Sequence, residues 1–272
     1  GSNKIQEYVN RVRELGMDSA AITDHGVMYG VIDFYRAARA AGINPILGCE
    51  VYVAPESRFD REIGSGDDRY YHLVLLAENN QGYANLMKIV SKSFVEGFYY
   101  KPRVDLQLLE KYHEGLIALS ACLAGEVARF LTRGMYEDAK AAALRYQDIF
   151  GKGNFFLELQ DHGIPEQQNI NQQLLKMHRE TGIELVATND VHYTLAEDAQ
   201  PHDVLLCLQT GKKLSDENRM RYDGGQYYVK SPEEMERLFP YATEALENTH
   251  KIAERCHVEI EFGVTKLPKF DV

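Results

Sequence analysis

Apolar segments with strand-like spacing alternate along this chain with segments that have the spacing of amphipathic helices. The first helix is predicted over residues 4–15, where Ile5, Val9 and Val12 share one face, and Gly16 ends it. Strands are predicted over residues 18–23, 44–53, 71–77, 115–120, 154–160 and 183–188. Further helices are predicted over residues 29–41, 81–96, 123–132, 136–150, 165–181 and 197–208. This alternation predicts a mainly parallel sheet covered by helices, arranged either as an open sheet or as a barrel.

The pattern becomes more polar after about residue 210. Turns rich in glycine and lysine come first. Ser231 and Pro232 then mark a helix start, with serine as the N-cap and proline at the first helical position. A last helix is predicted over residues 242–256. Two segments are predicted to be irregular, residues 56–69 and 259–272.

Composition narrows the classes of function. Hydrophobic residues make up 44% of the 272 residues, enough for a sizeable core, and the longest apolar runs are far too short to cross a bilayer. The chain has 30 lysines and arginines against 41 aspartates and glutamates, and this net charge of −11 argues against nucleic-acid binding by bulk positive charge. Nucleic-acid binding through metal ions or through a local basic patch stays open. The four cysteines lack the spacing of a zinc ribbon, so we predict reduced thiols in a cytoplasmic protein. The short apolar runs predict that it has no membrane partner.

Side chains that bind metals fall at or near the ends of predicted strands. They are His25, Glu50, Cys122, Asp190 and His192. Because barrel enzymes place their chemistry at the carboxyl ends of their strands, these side chains are expected to meet at one rim. A mixed set of His, Glu, Asp and Cys suits Zn²⁺, Mn²⁺ or Fe. Each also has an ordinary structural interpretation: a turn histidine, a paired buried carboxylate, a small core cysteine, or a hydrogen-bonded Asp–His pair.

The other histidines rank lower on spacing alone. His72 lies at the start of its predicted strand rather than at the end. His162 follows a strand end, but a histidine beside a glycine is more often an ordinary loop residue. The five remaining histidines lie on helical or polar segments and are predicted to be exposed to solvent: His113, His178, His202, His250 and His257.

Two local features combine cations with aromatic or other basic residues and are candidate contacts for nucleic acid. One is the Tyr-Tyr-Lys-Pro-Arg segment at residues 99–103. The other groups Lys212, Lys213, Arg219 and Arg221. Both have the chemistry to contact phosphates and stacked bases. The acidic total charge favours the interpretation that both are ordinary surface.

Five segments together resemble a known family. They are residues 21–26, 48–53, 71–77, 119–126 and 188–193. In sequence and order they are similar to the PHP (polymerase and histidinol phosphatase) domain, and more narrowly to the PHP domain of bacterial DNA polymerase III alpha subunits. Residues 97–103 and 156–160 resemble those subunits rather than free-standing PHP phosphatases. The resemblance extends from Lys4 to the last residue.

The resemblance implies a fold and a division into domains. The fold would be α/β, a distorted (β/α)7 TIM-like barrel of the PHP type, followed by a helical C-terminal connector that leads toward the polymerase palm. The first motif of the family, a His-x-His strand, is absent from this sequence, so the barrel is expected to lack its first strand. Residues 1–210 would form the PHP domain and residues 211–272 the connector.

The resemblance also implies a metal site that holds up to three divalent ions in the intact family, and fewer here because the first motif is missing. The implied ligands are His25, Glu50, His72, Cys122, Asp190 and His192. His72 thus enters the ligand set, and His162 does not. Asp24 resembles the acid beside the ligand histidine. The candidate catalytic residues are therefore Asp24, His25, Asp190 and His192.

For the whole parent protein, the resemblance implies a DNA polymerase with DNA and other replicase subunits as partners. The PHP site would act as a metal-dependent phosphoesterase or 3′–5′ exonuclease. This segment lacks the palm carboxylates and is not expected to polymerise. Two alternatives stay open. One is a structural module of the replicase with no hydrolytic activity, and a weaker one is a free-standing phosphoesterase similar to histidinol phosphatase.

Overall fold

One curved sheet organises the fold. The computed structural model describes residues 1–62 and 69–267. The strands in this part of the chain are β1 (Ser19–Ile22), β2 (Asn44–Val53), β3 (Tyr71–Ala77), β4 (Arg103–Val104), β5 (Leu116–Leu119), β6 (Phe155–Leu159) and β7 (Glu184–Ala187). The helices are α1 (Ile5–Glu14), α2 (Val31–Ala40), α3 (Asn80–Val95), α4 (Leu106–Tyr112), α5 (Glu126–Thr132), α6 (Tyr136–Phe150), α7 (Pro165–Thr181), α8 (Ala199–Thr210), α9 (Pro232–Leu238) and α10 (Thr243–Arg255). No helix among these residues is both long and apolar enough to cross a bilayer.

The strands lie in the order β1-β2-β3-β5-β6-β7, with the short β4 beside the carboxyl end of β2. β3 runs antiparallel to both of its neighbours, β2 and β5, and the other pairs of strands in the described residues are parallel. The predicted α/β class with a mainly parallel sheet is confirmed, and β3 is the exception. The first residues of β3 therefore lie at the same rim as the last residues of β2.

The predicted bounds of helices and strands agree best with the structure where the sequence pattern is long. β2, β3, α6 and α7 begin and end at the predicted residues. The pattern does not predict β4 or α4, although Asp105 supplies one signal for α4, because its side chain accepts a hydrogen bond from the amide of Leu108 as an N-cap. Residues 56–62 are irregular, as predicted. Residues 63–68 and 268–272 of the predicted irregular segments lie outside the described residues.

Side chains from both faces of the sheet build the core. On one face, Leu73 and Leu75 of β3 pack with residues of α3, α5, α6 and α7. On the other face, Val74 and Leu76 join residues of β5, β6 and β7, and Ile252 of α10 belongs to the same cluster. Residues predicted to form the connector thus share a core with the sheet, and the boundary at residue 210 stays a prediction.

Candidate metal centre

Three candidate ligands from three strands meet at one rim of the sheet. His25 follows β1 and pairs with Glu50 of β2, while His72 is the second residue of β3. The Nδ1 atom of His72 lies 2.8 Å from Oε1 of Glu50, and Nδ1 of His25 lies 3.6 Å from Oε2. Ligand atoms of the three residues all lie within 4.8 Å of one another. Spacing ranked His72 low, but β3 runs in the opposite direction and therefore starts at the rim where the other strands end.

Cys122 joins this group from the loop that follows β5. Its Sγ atom lies 3.6 Å from Nδ1 of His72 and 3.9 Å from Oε1 of Glu50. The preceding residue, Ala121, has a φ of 65°, in the left-handed region that residues other than glycine rarely adopt. This sharp turn places the thiol beside the histidine and the carboxylate.

Asp190 and His192 follow β7 and line the same cleft, which has a volume of about 460 Å³. Nδ1 of His192 donates a 2.7 Å hydrogen bond to the carbonyl oxygen of Asp190, which makes Nε2 the unprotonated nitrogen of the neutral ring. The ring centroids of His192 and His25 are 6.0 Å apart. The cleft is thus bordered by five of the six proposed ligands: His25, Glu50, Cys122, Asp190 and His192.

Asp24, the acid beside His25, contacts β2 through its backbone. Its carbonyl oxygen accepts a 3.0 Å hydrogen bond from the amide of Glu50 and a 3.3 Å hydrogen bond from the thiol of Cys49. Asp24 also lines the cleft. The structure therefore places all four predicted catalytic residues around one cavity, and their catalytic roles stay predictions.

Burial shifts the pKa values of this cluster in opposite directions. It raises the pKa of Cys122 and that of Asp190 well above their usual values, and the charge of Glu50 adds to both shifts. Burial lowers the pKa of His192 to about 4. Burial opposes the ionisation of Glu50 as well, but the hydrogen bond with His72 and the charge interactions with neighbouring histidines together outweigh it and lower the pKa of Glu50. Near pH 7 the metal-free cleft therefore combines an ionised Glu50 with a neutral His192.

The chemistry of these side chains fits a divalent metal. Nδ1 of His25 is buried and has no hydrogen-bond partner among the described residues, because Glu50 at 3.6 Å is too distant for a hydrogen bond. An imidazole nitrogen near a carboxylate and a thiol is a usual combination of ligands for Zn²⁺ and related ions. A cation would give His25 a partner, would offset the negative charge of Glu50 and would favour the ionised form of Asp190.

Glu158 is a buried carboxylate of the cleft that spacing did not identify. It is 6% exposed and lies within β6, and burial raises its pKa to about 7. It lines the same cleft as His25 and His192. The sequence does carry a signal for it, because a glutamate between two leucines of an apolar strand needs buried partners.

Two further histidines lie close to the cluster without joining it. Nε2 of His162 donates a 2.7 Å hydrogen bond to the carbonyl oxygen of Asn189, the residue before Asp190. His202, which was predicted to be exposed, is only 4% exposed, and its ring lies 5.8 Å from that of His192. The prediction is wrong because a ring from the segment after α8, Tyr222, packs against His202 at 5.2 Å.

The two basic candidates for nucleic-acid binding contain arginines with structural partners. Arg103 is fully buried, and its guanidinium donates hydrogen bonds to the backbone carbonyls of Gly97, Arg58 and Asp60. Arg219 forms a two-pronged ion pair with Asp203. The interpretation as ordinary surface is therefore wrong for Arg103, whereas Tyr100 of the same segment is 62% exposed.

Replacing Arg103 with methionine is expected to lower the free energy of unfolding by about 3 kcal/mol, because buried carbonyl oxygens lose their donors. Urea denaturation followed by circular dichroism measures this. Lys101→Met, two residues before Arg103, is the control, and it is expected to change the free energy of unfolding by less than about 0.5 kcal/mol. Equal losses in the two variants would show that the hydrogen bonds of Arg103 do not account for the loss.

Comparison with known proteins identifies the family. The profile of the PHP domain matches residues 1–162, which is more than half of the chain. The chain belongs to the PHP domain family. This membership confirms the fold predicted from the sequence motifs, and the binding of divalent metals by PHP domains agrees with the cluster of His25, Glu50 and His72.

Two curated relatives cover the whole chain. DNA polymerase III subunit alpha of Treponema pallidum is 45% identical over 272 residues, and that of Borreliella burgdorferi is 45% identical over 273 residues. Both alignments include 100% of this chain but only 23% and 24% of the relatives, so the chain spans about a quarter of their length. Among solved structures, an amidohydrolase from Chromobacterium violaceum is 14% identical with a TM-score of 0.46, and the match covers 71% of this chain and 84% of that one.

Proposed function

We propose that this chain is the PHP region of a bacterial DNA polymerase III alpha subunit and that its rim holds Zn, Mn or Fe for the hydrolysis of phosphodiesters. The identity with two such subunits along the whole chain supports the first part. The second part rests on one observation, the meeting of ligand atoms from His25, Glu50 and His72 within 4.8 Å of one another. The whole subunit would work on DNA in the cytoplasm, together with other replicase subunits.

The side chains of the cleft have separate roles in this proposal. The residues that would hold the metal are His25, Glu50, His72, Cys122, Asp190 and His192. When bound, a divalent metal supplies a water of lowered pKa and neutralises charge on the phosphate. The hydrogen bond from His192 to the carbonyl of Asp190 fixes the orientation of the imidazole ring. The backbone carbonyl of Asp24 accepts a hydrogen bond from the amide of Glu50 and so holds the backbone of β2 at this ligand.

Aromatic rings beside the ligands favour a nucleic-acid strand as the substrate. The ring of Tyr52 lies 5.3 Å from that of His72, and Tyr70 packs against Tyr52 at 4.8 Å. The ammonium group of Lys101 lies 5.6 Å from the Tyr52 ring. Tyr52 is itself only 7% exposed, so the half-buried Tyr70 and Lys101 are the groups that would meet a base and the backbone of a single strand. We therefore propose hydrolysis of the 3′–5′ exonuclease type.

A structural module within the replicase is the second candidate. The amide of His192 donates a 2.8 Å hydrogen bond to the carbonyl of Tyr227, which belongs to the segment predicted as a connector. A metal at the rim would then fasten the strand ends and the connector together. In this case removal of the metal lowers the stability of the fold, and hydrolysis is absent at every metal loading. No contact favours the free-standing phosphatase among the described residues.

Metal content and hydrolysis of a labelled single strand test the proposal together. Chain purified without chelator or nickel affinity is expected to carry about one or more Zn, Mn or Fe ions. With added Mn²⁺ it is expected to shorten 5′-labelled DNA from the 3′ end. If both this chain and the whole subunit bind metal but do not hydrolyse the labelled strand, the structural module would be favoured. Folded protein without metal would contradict the metal centre.

His192→Ala is expected to lower the affinity for metal about tenfold or more relative to His162→Ala. His192 is a proposed ligand, whereas both ring nitrogens of His162 are engaged with Asn189 and Gln167. Elemental analysis after dialysis against metal-free buffer compares the two variants, and circular dichroism checks that both are folded. Equal loss of metal would count against the ligand assignment.

A further inference from the structure

Glu158 connects the two loops that carry Cys122 and Asp190. Its Oε2 atom accepts a 2.8 Å hydrogen bond from the amide of Ala121, the residue before Cys122. Its Oε1 atom accepts a 2.5 Å hydrogen bond from the hydroxyl of Thr188, two residues before Asp190. One buried side chain of β6 therefore contacts the end of β5 on one side and the end of β7 on the other.

Gln160, two residues further along the same strand, completes this network. Its Nε2 atom donates a 3.2 Å hydrogen bond to Oε1 of Glu158 and a 3.1 Å hydrogen bond to Oγ1 of Thr188. The Oε1 atom of Gln160 is buried without a partner in the described part of the chain. The carboxylate of Glu158 thus accepts three hydrogen bonds, and both of its oxygens are engaged within the protein.

Both connected loops contain a residue in the left-handed region. Ala121 has a φ of 65°, and Asp190 has a φ of 45°. For a residue with a side chain this conformation costs roughly 1–2 kcal/mol, so it persists where the surroundings hold it in place. The hydrogen bond from the amide of Ala121 to Glu158 acts directly at the first of these turns. The Thr188 hydroxyl anchors the strand end just before the second.

We infer that Glu158 is a positioning residue of the metal centre, which holds the Cys122 loop and the Asp190 segment so that both side chains face the cleft. The inference rests on the metal centre under the proposed function. Glu158 is not itself a proposed ligand, because its oxygens are engaged with Ala121, Thr188 and Gln160. A purely structural glutamate would affect stability alone, whereas a positioning residue also governs how the thiol of Cys122 meets a metal.

Two substitutions at Glu158 separate these roles. Glu158→Leu keeps similar bulk but leaves the amide of Ala121 and the hydroxyl of Thr188 without their acceptor. Glu158→Gln keeps an oxygen that accepts the hydrogen bond from the amide of Ala121. The NH₂ group introduced at position 158 can donate to Oε1 of Gln160 after the side-chain amide of Gln160 rotates by about 180°. Asn85→Leu is the matched control, since it removes a buried hydrogen-bonding side chain of α3 that does not line the cleft.

Cobalt(II) is the probe, because a thiolate bound to Co²⁺ gives an intense near-ultraviolet absorption. In titrations of the 272-residue chain, Glu158→Leu is expected to bind Co²⁺ about 10- to 100-fold more weakly and to lose this absorption. Glu158→Gln and Asn85→Leu are expected to stay within about threefold of the unchanged chain. Adding Ala121→Gly to Glu158→Leu is expected to restore part of the absorption, because glycine adopts the left-handed turn without strain.

A second measurement needs no metal. Hydrogen exchange of the Ala121 amide, followed by NMR, is expected to be about tenfold faster in Glu158→Leu than in Asn85→Leu. Unchanged Co²⁺ affinity and thiolate absorption in Glu158→Leu would overturn the positioning role and leave the metal centre standing. If the unchanged chain binds no Co²⁺, the metal centre itself is overturned. The Ala121 exchange rate then decides alone whether Glu158 holds the loop, and an unchanged rate overturns that as well.

Discussion

Replacing Glu50 with glutamine is expected to weaken metal binding at the rim by at least about 100-fold. Glu50 lies at the centre of the candidate ligands, because its oxygens are 2.8 Å from His72, 3.6 Å from His25 and 3.9 Å from Cys122. The amide keeps the shape of the side chain but removes the charge that complements a cation. It also places an NH₂ group, which cannot bind a metal, where one carboxylate oxygen stood. Because Glu50 lies beside His72, His25 and Cys122, a metal bound by any of these three residues would lose the carboxylate as a further ligand.

Asp105→Asn is the matched control for this substitution. Asp105 is a buried carboxylate like Glu50, but it pairs with Arg58, caps α4 and does not line the cleft. Titration calorimetry with Zn²⁺ is expected to show the affinity of the unchanged chain in Asp105→Asn and no measurable binding in Glu50→Gln. Glu50→Gln protein that binds Zn²⁺ as tightly as the unchanged chain would contradict the location of the metal centre.

The fold is predictable from the sequence where the hydrophobic pattern is long and where proline or glycine marks the ends of the element. β2 ends just before Pro55, which cannot continue a ladder of hydrogen bonds. α7 begins at Pro165 and ends at Thr181, directly before Gly182 with a φ of 72°, so both ends carry a specific signal. β4 has only two residues, too few for any periodicity. Its position depends on pairing with β2, which is a tertiary property.

The site is less predictable because strand direction and loop handedness depend on tertiary structure. The apolar run that contains His72 has the same pattern in either direction, and only its antiparallel pairing with β2 brings His72 to the rim. The left-handed turn at Ala121 has no sequence signal, since alanine rarely adopts it. Glu158 is a different case. Its charge within an apolar strand is visible in the sequence, but Glu158 lies inside β6, whereas the candidate ligands lie at or near strand ends.

Metal binding near pH 7 is expected to release about one proton from Cys122. Burial, followed by the charges of Glu50 and Asp190, raises the pKa of Cys122 well above its usual value, so the metal-free thiol is protonated. A metal binds the thiolate, and the proton must leave. His192 contributes no proton, because burial lowers its pKa to about 4 and the ring is already neutral. The raised pKa of Asp190 adds a second source of protons.

The sign of the pH dependence follows from this release. Because binding expels protons, lowering the pH weakens metal binding, by about tenfold per pH unit for each proton released. Titration calorimetry in two buffers with different ionisation enthalpies counts the protons. Cys122→Ser is expected to release about one proton fewer, since a serine hydroxyl stays protonated, whereas Cys207→Ala removes another buried thiol and leaves the count unchanged. An equal count in Cys122→Ser and the unchanged chain would exclude the thiolate as a ligand, and the metal would then have to bind through the imidazoles and carboxylates alone.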